Sequence, residues 1–176
     1  MKYLLIVVVV IIAISLFMRF SGKPAHMVYK KGEKIKSYTL LGDHGSYVHT
    51  EQLHGSWLIL YFYPKDDTPG CTKEAQTFSF LLDEFTAANT KVFGINTDTP
   101  ESHRKFKEKY DLKVTLLTDE EKIIAEDFAV NIIAGFCSRD TILINPEGRL
   151  EETFRGVNPA GHPAEILKYI KDHGKK

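Results

Sequence analysis

The sequence predicts an α/β fold, a central mixed sheet covered by helices, preceded by an N-terminal transmembrane segment. Three observations carry that expectation. Short β-prone runs bounded by turn residues alternate with segments of helical spacing, the pattern of parallel strands joined by crossovers. Near the C-terminus a strand–turn–strand pattern adds antiparallel strands. Ahead of everything runs an almost unbroken apolar stretch with no periodicity that would fit it to a folded domain.

That stretch is Tyr3 to Met18, YLLIVVVVIIAISLFM, flanked by Lys2 and Arg19. At about 16 residues it is near the lower limit for crossing a bilayer. Residues 1–20 read as a membrane anchor or a cleaved signal segment; Phe17, Met18, Arg19 and Phe20 stand where a small-x-small cleavage site would close a signal peptide, which favours the uncleaved anchor. Its orientation stays open between cytoplasmic and extracytoplasmic. Lys2 favours one side, whereas Arg19, Lys23, Lys30, Lys31, Lys34 and Lys36 favour keeping the following segment inside. Residues 21–33 are a polar, basic tether, and residues 34–176 are the folded domain.

Within that domain Tyr38–Leu41 and Tyr47–Val48, separated by Gly42-Asp43-His44-Gly45, read as a hairpin. Trp57–Tyr63 (WLILYFY) is a strand buried on both faces, ended by Pro64. Cys71–Asn89 has helical spacing through Ala75, Phe78, Leu81, Leu82 and Phe85. Lys91–Asn96 is a second buried strand. Pro100–Tyr110 opens with Pro-Glu-Ser and is a charged helix. Val114–Leu117 is a short strand and Asp119–Phe128 another helix. Thr141–Asn145 (TILIN) turns through Pro146-Glu147-Gly148 into Arg149–Arg155. Pro163–His173 closes the chain as a helix, with Ile166, Leu167 and Ile170 on one face. Strand, helix, strand, helix, strand, helix, hairpin, helix predicts a mixed sheet that resembles a thioredoxin-like fold.

Composition narrows the function. Lys plus Arg and Asp plus Glu both number 23, and no basic block stands out, so nucleic acid is not an expected partner. Hydrophobic residues make up 43%, enough for a packed core. Two cysteines, Cys71 and Cys137, are too few for a disulfide scaffold and lack zinc-site spacing. The histidines, His26, His44, His49, His54, His103, His162 and His173, show no paired ligand spacing, so no metal is expected. With no glycine-rich phosphate loop and no Gly-x-Ser-x-Gly elbow, no cofactor is expected either.

The informative window runs from Tyr63 to Glu74, YPKDDTPGCTKE. A buried strand ends at a proline, a short loop follows, and Cys71 sits in the first turn of a helix. Sites form beyond the carboxyl ends of strands in open sheets. The unpaired N–H groups and partial positive charge of a helix N-terminus favour a thiolate, the nucleophilic form of cysteine. Asp66 and Asp67 oppose this, so they are expected to point outward or to be outweighed by a cation.

Pro64-x-x-x-Thr68-x-x-Cys71 resembles the Pro-x-x-x-Thr-x-x-Cys signature of peroxiredoxins, and YFYPKDDTPGCTKEA is similar to the bacterioferritin comigratory protein, or PrxQ, subfamily. The resemblance runs from about Lys34 to the C-terminus. It implies a thiol-dependent peroxidase that reduces hydrogen peroxide and organic hydroperoxides through a cysteine sulfenic acid. Cys71 is then the attacking sulfur, Thr68 bonds the thiolate and the peroxide, and Pro64 shields the site from water. Arg139 stabilises negative charge and Glu74 orients Arg139. Thioredoxin or another thiol is the implied reductant, and a monomer or weak dimer the implied state.

One departure matters. Many relatives carry a resolving cysteine five residues after the first, and here that position is Gln76. Cys137 is left either as the resolving thiol or as a buried bystander; strand alternation would put it on the same side as Arg139 if the strand already begins there. Two competing readings are a membrane-tethered thiol–disulfide oxidoreductase and a non-catalytic thioredoxin-like binding module. The first lacks a Cys-x-x-Cys pair, since Glu74 holds the fourth position. Intact Pro64, Thr68, Cys71 and Arg139 speak against the second.

Overall fold

A computed structural model describes residues 28–174. β1 (Thr39–Gly42) and β2 (Tyr47–His49) form the expected hairpin, with Leu40 opposite Val48. β3 (Trp57–Phe62) is an interior strand, and all six of its residues are buried. It runs parallel to β4 (Thr90–Asn96) and antiparallel to β8 (Asp140–Ile144). β5 (Thr115–Thr118) pairs parallel to β4, and β9 (Leu150–Phe154) pairs antiparallel to β8. The order across the sheet is β2-β1-β5-β4-β3-β8-β9.

Alternation along β3 divides the core in two. Leu58, Leu60 and Phe62 join Ile95, Leu117, Phe128 and Ile142 on one face. Trp57, Ile59, Tyr61 and Tyr63 join Phe78, Phe85, Phe106, Leu116 and Ile166 on the other. A side chain of this size contributes roughly 1.5–3 kcal/mol when fully buried, which is why β3 carries apolar residues on both faces.

The helix expected over Cys71–Asn89 is two helices, α1 (Pro69–Phe80) and α2 (Leu82–Ala87). Leu81 leaves helical geometry at ψ 3°, and the turn keeps Phe78 and Phe85 in one core, ring centroids 5.8 Å apart. α3 (Pro100–Tyr110) has the expected bounds; Thr99 Oγ1 accepts from the Ser102 amide, and Asp111 ends the helix in the left-handed region. α4 (Ile123–Asp127) is shorter than the helix expected over Asp119–Phe128. Asp119 stands outside it, its carboxylate accepting from the amides of Ile124 and Ala125, and Lys122 at φ 62° cannot continue a helix. β6 (Ile132–Ile133) and β7 (Phe136–Cys137) form a separate two-stranded ladder that is too short to show periodicity in sequence. α5 (His162–His173) closes the described chain.

Packing reaches upstream of Lys34. Tyr29 is buried against Phe128, ring centroids 4.9 Å apart, and the Gly32 amide donates to the Leu150 carbonyl at 2.7 Å. The transmembrane segment expected at residues 1–20 is not retained. Among the described residues no helix is long and apolar enough to cross a membrane, and residues 1–20 lie outside the described residues. The membrane localisation and membrane partner are dropped with it. The expectation rested on the hydropathy, flanking charges and cleavage pattern of the run, which describe how apolar it is and not where it lies.

Candidate active site

After β3 the chain turns through Pro64–Thr68 and enters α1 at Pro69. Proline suits a first helical position because its missing N–H has no intrahelical partner there. Thr68 precedes it in extended conformation, φ −100° and ψ 150°, and its side chain makes no capping bond. The first turn is therefore free of a side-chain cap, and Cys71 is its third residue.

Cys71 is 1% exposed. Its sulfur accepts a hydrogen bond from Arg139 Nη2 at 3.4 Å. Arg139 enters from the segment just before β8, and its Nη1 donates to Glu74 Oε2. Cys71 and Glu74 are three apart on α1, so one helix face presents both to the same guanidinium. Glu74 is fully buried. Burial pushes its carboxyl up to about 7, against the pull of Arg139. Burial works against the Arg139 charge, but Glu74 and then Cys71 outweigh it and hold that pKa above its ordinary value. The guanidinium is thus a fixed cation touching the sulfur.

Close approach by Arg139 depends on Gly70. A Cβ there would stand 3.2 Å from Arg139 Nη2 and 3.9 Å from its Cζ. No spacing argument pointed to this glycine; only the position of a guanidinium distant in sequence reveals it.

Pro64 and Thr68 are both half-buried and precede Cys71 by seven and three residues. The Thr68 hydroxyl donates to the Lys65 carbonyl at 3.2 Å, and the Thr68 carbonyl accepts from the Thr72 amide at 2.8 Å. The structure thus gives that hydroxyl a backbone partner where the sequence reading expected Cys71.

The two aspartates of the loop are both held by hydrogen-bond donors, in different ways. Asp67 is exposed in the left-handed region at φ 56° and accepts from Lys109 Nζ at 2.9 and 2.7 Å and from Tyr110 Oη at 2.6 Å. The bond from Lys109 holds its carboxyl below the usual range. Asp66 is buried, not outward. It accepts from Tyr63, Ser102, His103 and Asn96. Burial pushes its carboxyl up, but His103, Ser102 and Tyr63 together bring it below the ordinary value. His103, one of the histidines without ligand spacing, is therefore part of the loop's support.

Cys137 lies elsewhere. It belongs to the core face of Leu58, Leu60 and Phe62, whereas Cys71 belongs to the face of Tyr61 and Phe78. The sheet separates the two thiols. Cys137 pairs with Ile132 in the small ladder, and Ser138 parts it from Arg139 and β8. Residues two apart share a face only within one strand, so the alternation that placed Cys137 beside Arg139 does not apply. Burial pushes the Cys137 thiol up to about 12, which leaves little thiolate at neutral pH.

The assembled site is a nearly buried sulfur at an uncapped helix N-terminus, beside a fixed cation anchored by a buried carboxylate. Such a sulfur can attack a small electrophile, and the cation can stabilise charge that develops on the leaving atom. The comparisons agree with this chemistry. Residues 31–153 match the model of the AhpC/TSA family. The chain is similar to peroxiredoxin Bcp of Bacillus subtilis, at 40% identity over 85% of this chain and 100% of that one. It is also similar to the chloroplastic peroxiredoxin Q of Suaeda salsa, at 33% identity over 80% of this chain and 67% of that one. Among solved structures, a cysteine mutant of Xylella fastidiosa PrxQ superposes with a TM-score of 0.79 at 30% identity, covering 86% of this chain and all of that one. The Xanthomonas campestris bacterioferritin comigratory protein, described for its alkyl peroxide reduction activity, superposes with a TM-score of 0.73 at 32% identity, covering 78% of this chain and 92% of that one.

Proposed function

This chain belongs to the AhpC/TSA family of peroxiredoxins, with the thioredoxin-like fold and the antioxidant thiol peroxidase activity of that family, and from that premise we propose how its residues divide the work. Cys71 is the attacking sulfur. The observation that carries this is the Arg139 Nη2–Cys71 contact of 3.4 Å at the first turn of α1. The thiolate attacks the nearer oxygen of a hydroperoxide, an S–O bond forms, and the O–O bond breaks. Cys71 becomes a sulfenic acid, and the departing oxygen leaves as water or an alcohol after taking up a proton. Arg139 stabilises the charge on that oxygen, and Glu74 holds Arg139 in place. Thr68, its hydrogen directed at Lys65, presents oxygen lone pairs that can accept from the peroxide O–H. Pro64 covers the loop side of the site.

Regeneration requires a thiol from outside the chain. The Cys71+5 position is Gln76, and Cys137 is on the far face of the sheet with a raised pKa. One external thiol condenses with the sulfenic acid and releases water; a second thiol, or a second sulfur of the same dithiol protein, displaces Cys71 and leaves as a disulfide. Thioredoxin or a low-molecular-weight thiol meets this requirement. A dithiol reductase reading finds no support, because Glu74 stands where its second cysteine would be and is engaged by Arg139.

The experiment is peroxide consumption by Cys71→Ser with a thiol reductant, paired with circular dichroism. Turnover is expected to vanish while the fold persists. A folded mutant that keeps a substantial part of the parental rate removes Cys71 from the role.

A further inference from the structure

The loop that leads to Cys71 is built around a buried carboxylate. Asp66 lies midway between Pro64 and Thr68 and is 6% exposed. An ionised carboxylate leaves water at a cost of several kcal/mol unless donors replace its hydration. Three parts of the fold supply those donors. Tyr63, just past β3, gives its hydroxyl at 2.8 Å; Ser102 and His103, on the first turn of α3, give Oγ at 2.7 Å and Nδ1 at 2.9 Å; Asn96, the last residue of β4, gives Nδ2 at 3.3 Å. The Asp66 amide in turn donates to Asp98 Oδ2 at 2.8 Å, so backbone and side chain of the loop are both held.

His103 is one of the buried donors. A carboxylate can only accept, so Nδ1 carries the hydrogen. The ring joins α3 to the loop from inside the molecule. Thr68 and the Pro69–Gly70 start of α1 follow within four residues of Asp66, while Arg139 arrives from the segment just before β8. Where the loop is held therefore decides whether the Cys71 sulfur and Arg139 Nη2 meet.

We infer that Asp66 and His103 are positioning residues of the peroxidase site: their buried contact, braced by Tyr63, Ser102 and Asn96, fixes the Pro64–Thr68 loop so that Cys71 stands against Arg139. This rests on the reading of Cys71 as the attacking sulfur. Neither residue touches the reacting atoms.

The test is the second-order rate constant for oxidation of Cys71 by hydrogen peroxide, followed by stopped flow on the full chain well below its melting temperature. His103→Leu removes the donor, and His103→Asn returns an amide nitrogen near the position of Nδ1. Lys107→Met is the control. It breaks the buried Lys107–Asp43 pair, which ties the same helix to a different part of the fold at 2.7 Å. Because misplacement by about 1 Å costs up to 100-fold in rate, His103→Leu is expected to react on the order of tenfold or more slowly. His103→Asn is expected to recover most of that loss, and Lys107→Met to keep the parental rate despite a lower melting temperature. A His103→Leu variant that matches the parent overturns the inference, and so does a Lys107→Met variant slowed as much as His103→Leu. If His103→Leu does not fold, Ser102→Ala takes its place, with a several-fold loss expected and an unchanged rate overturning the inference. Cys71→Ser runs alongside with peroxide consumption as its readout: a folded variant that consumes peroxide as fast as the parent overturns the reading of Cys71 and this inference with it, whereas loss of consumption there together with a His103→Leu variant that matches the parent overturns the inference alone.

Discussion

Replacing Gly70 by alanine adds a single methyl group between α1 and the guanidinium that serves Cys71. The new Cβ would lie 3.2 Å from Arg139 Nη2, closer than a carbon and a nitrogen ordinarily sit, so the guanidinium must retreat by a few tenths of an ångström. Its present distance to the Cys71 sulfur is 3.4 Å. With an effective dielectric constant of about 20, lengthening a unit-charge contact from about 3.4 to about 3.9 Å costs roughly 0.6 kcal/mol, or about threefold in rate. If the hydrogen bond is lost outright, the cost rises to about 1.5–3 kcal/mol, about ten- to 100-fold. Stability should move the other way. Gly70 is helical with no positive φ, and alanine is favoured over glycine inside a helix by up to about 1 kcal/mol. The assay pairs stopped-flow oxidation by hydrogen peroxide with thermal melting. A slower reaction in a protein that melts no lower is the expected result. A rate equal to the parent's would show that the glycine does not set the approach of Arg139. A slow variant that also melts well below the parent would show that the methyl group disrupts the fold instead.

Three further outcomes follow from the same geometry. Arg139→Ala is expected to slow oxidation of Cys71 by about one to two orders of magnitude, as loss of a charge-assisted partner should, and unchanged stopped-flow kinetics would remove Arg139 from the site. Glu74 titrates at about 7 in the folded protein against 4.5 ordinarily, a raised carboxyl, so the stability it contributes is present below pH 4.5 and is lost as pH rises through about 7. Urea unfolding at pH 5 and pH 8 should therefore show a larger loss of stability at the higher pH for the parent than for Glu74→Gln, and equal losses would place Glu74 in a different environment. Cys137→Ala is expected to keep peroxide turnover with a small-thiol reductant, and mass spectrometry of the parent after one equivalent of peroxide should show no Cys71–Cys137 disulfide; collapse of turnover in the variant would mean that the chain rearranges enough to bring Cys137 to Cys71.

The layered architecture was legible without coordinates because it follows from local rules. WLILYFY is apolar on both faces, so it had to be an interior strand, and β3 is buried throughout. Pro100 and the residues after it specified a helix start, and α3 keeps the expected bounds. The Pro64, Thr68 and Cys71 spacing marked a loop and a helix start, which are features of contiguous chain. What sequence could not carry was whatever depends on distant residues meeting. The division of one apparent helix at Leu81 answers to the packing of Phe78 on Phe85. The separation of Cys137 from Cys71 is a property of the sheet, because Cys137, two residues from Arg139 along the chain, falls on the opposite face from the sulfur that Arg139 touches once its strand ends. Gly70 reads as an ordinary loop glycine until a guanidinium from the segment before β8 occupies the space its side chain would fill. Asp66 looked like a liability beside a thiolate until Tyr63, Asn96, Ser102 and His103 converged on it. Local pattern determines which elements form; where their side chains meet is decided by packing, since a hydrogen bond or a steric contact acts over a few ångströms in space regardless of separation along the chain.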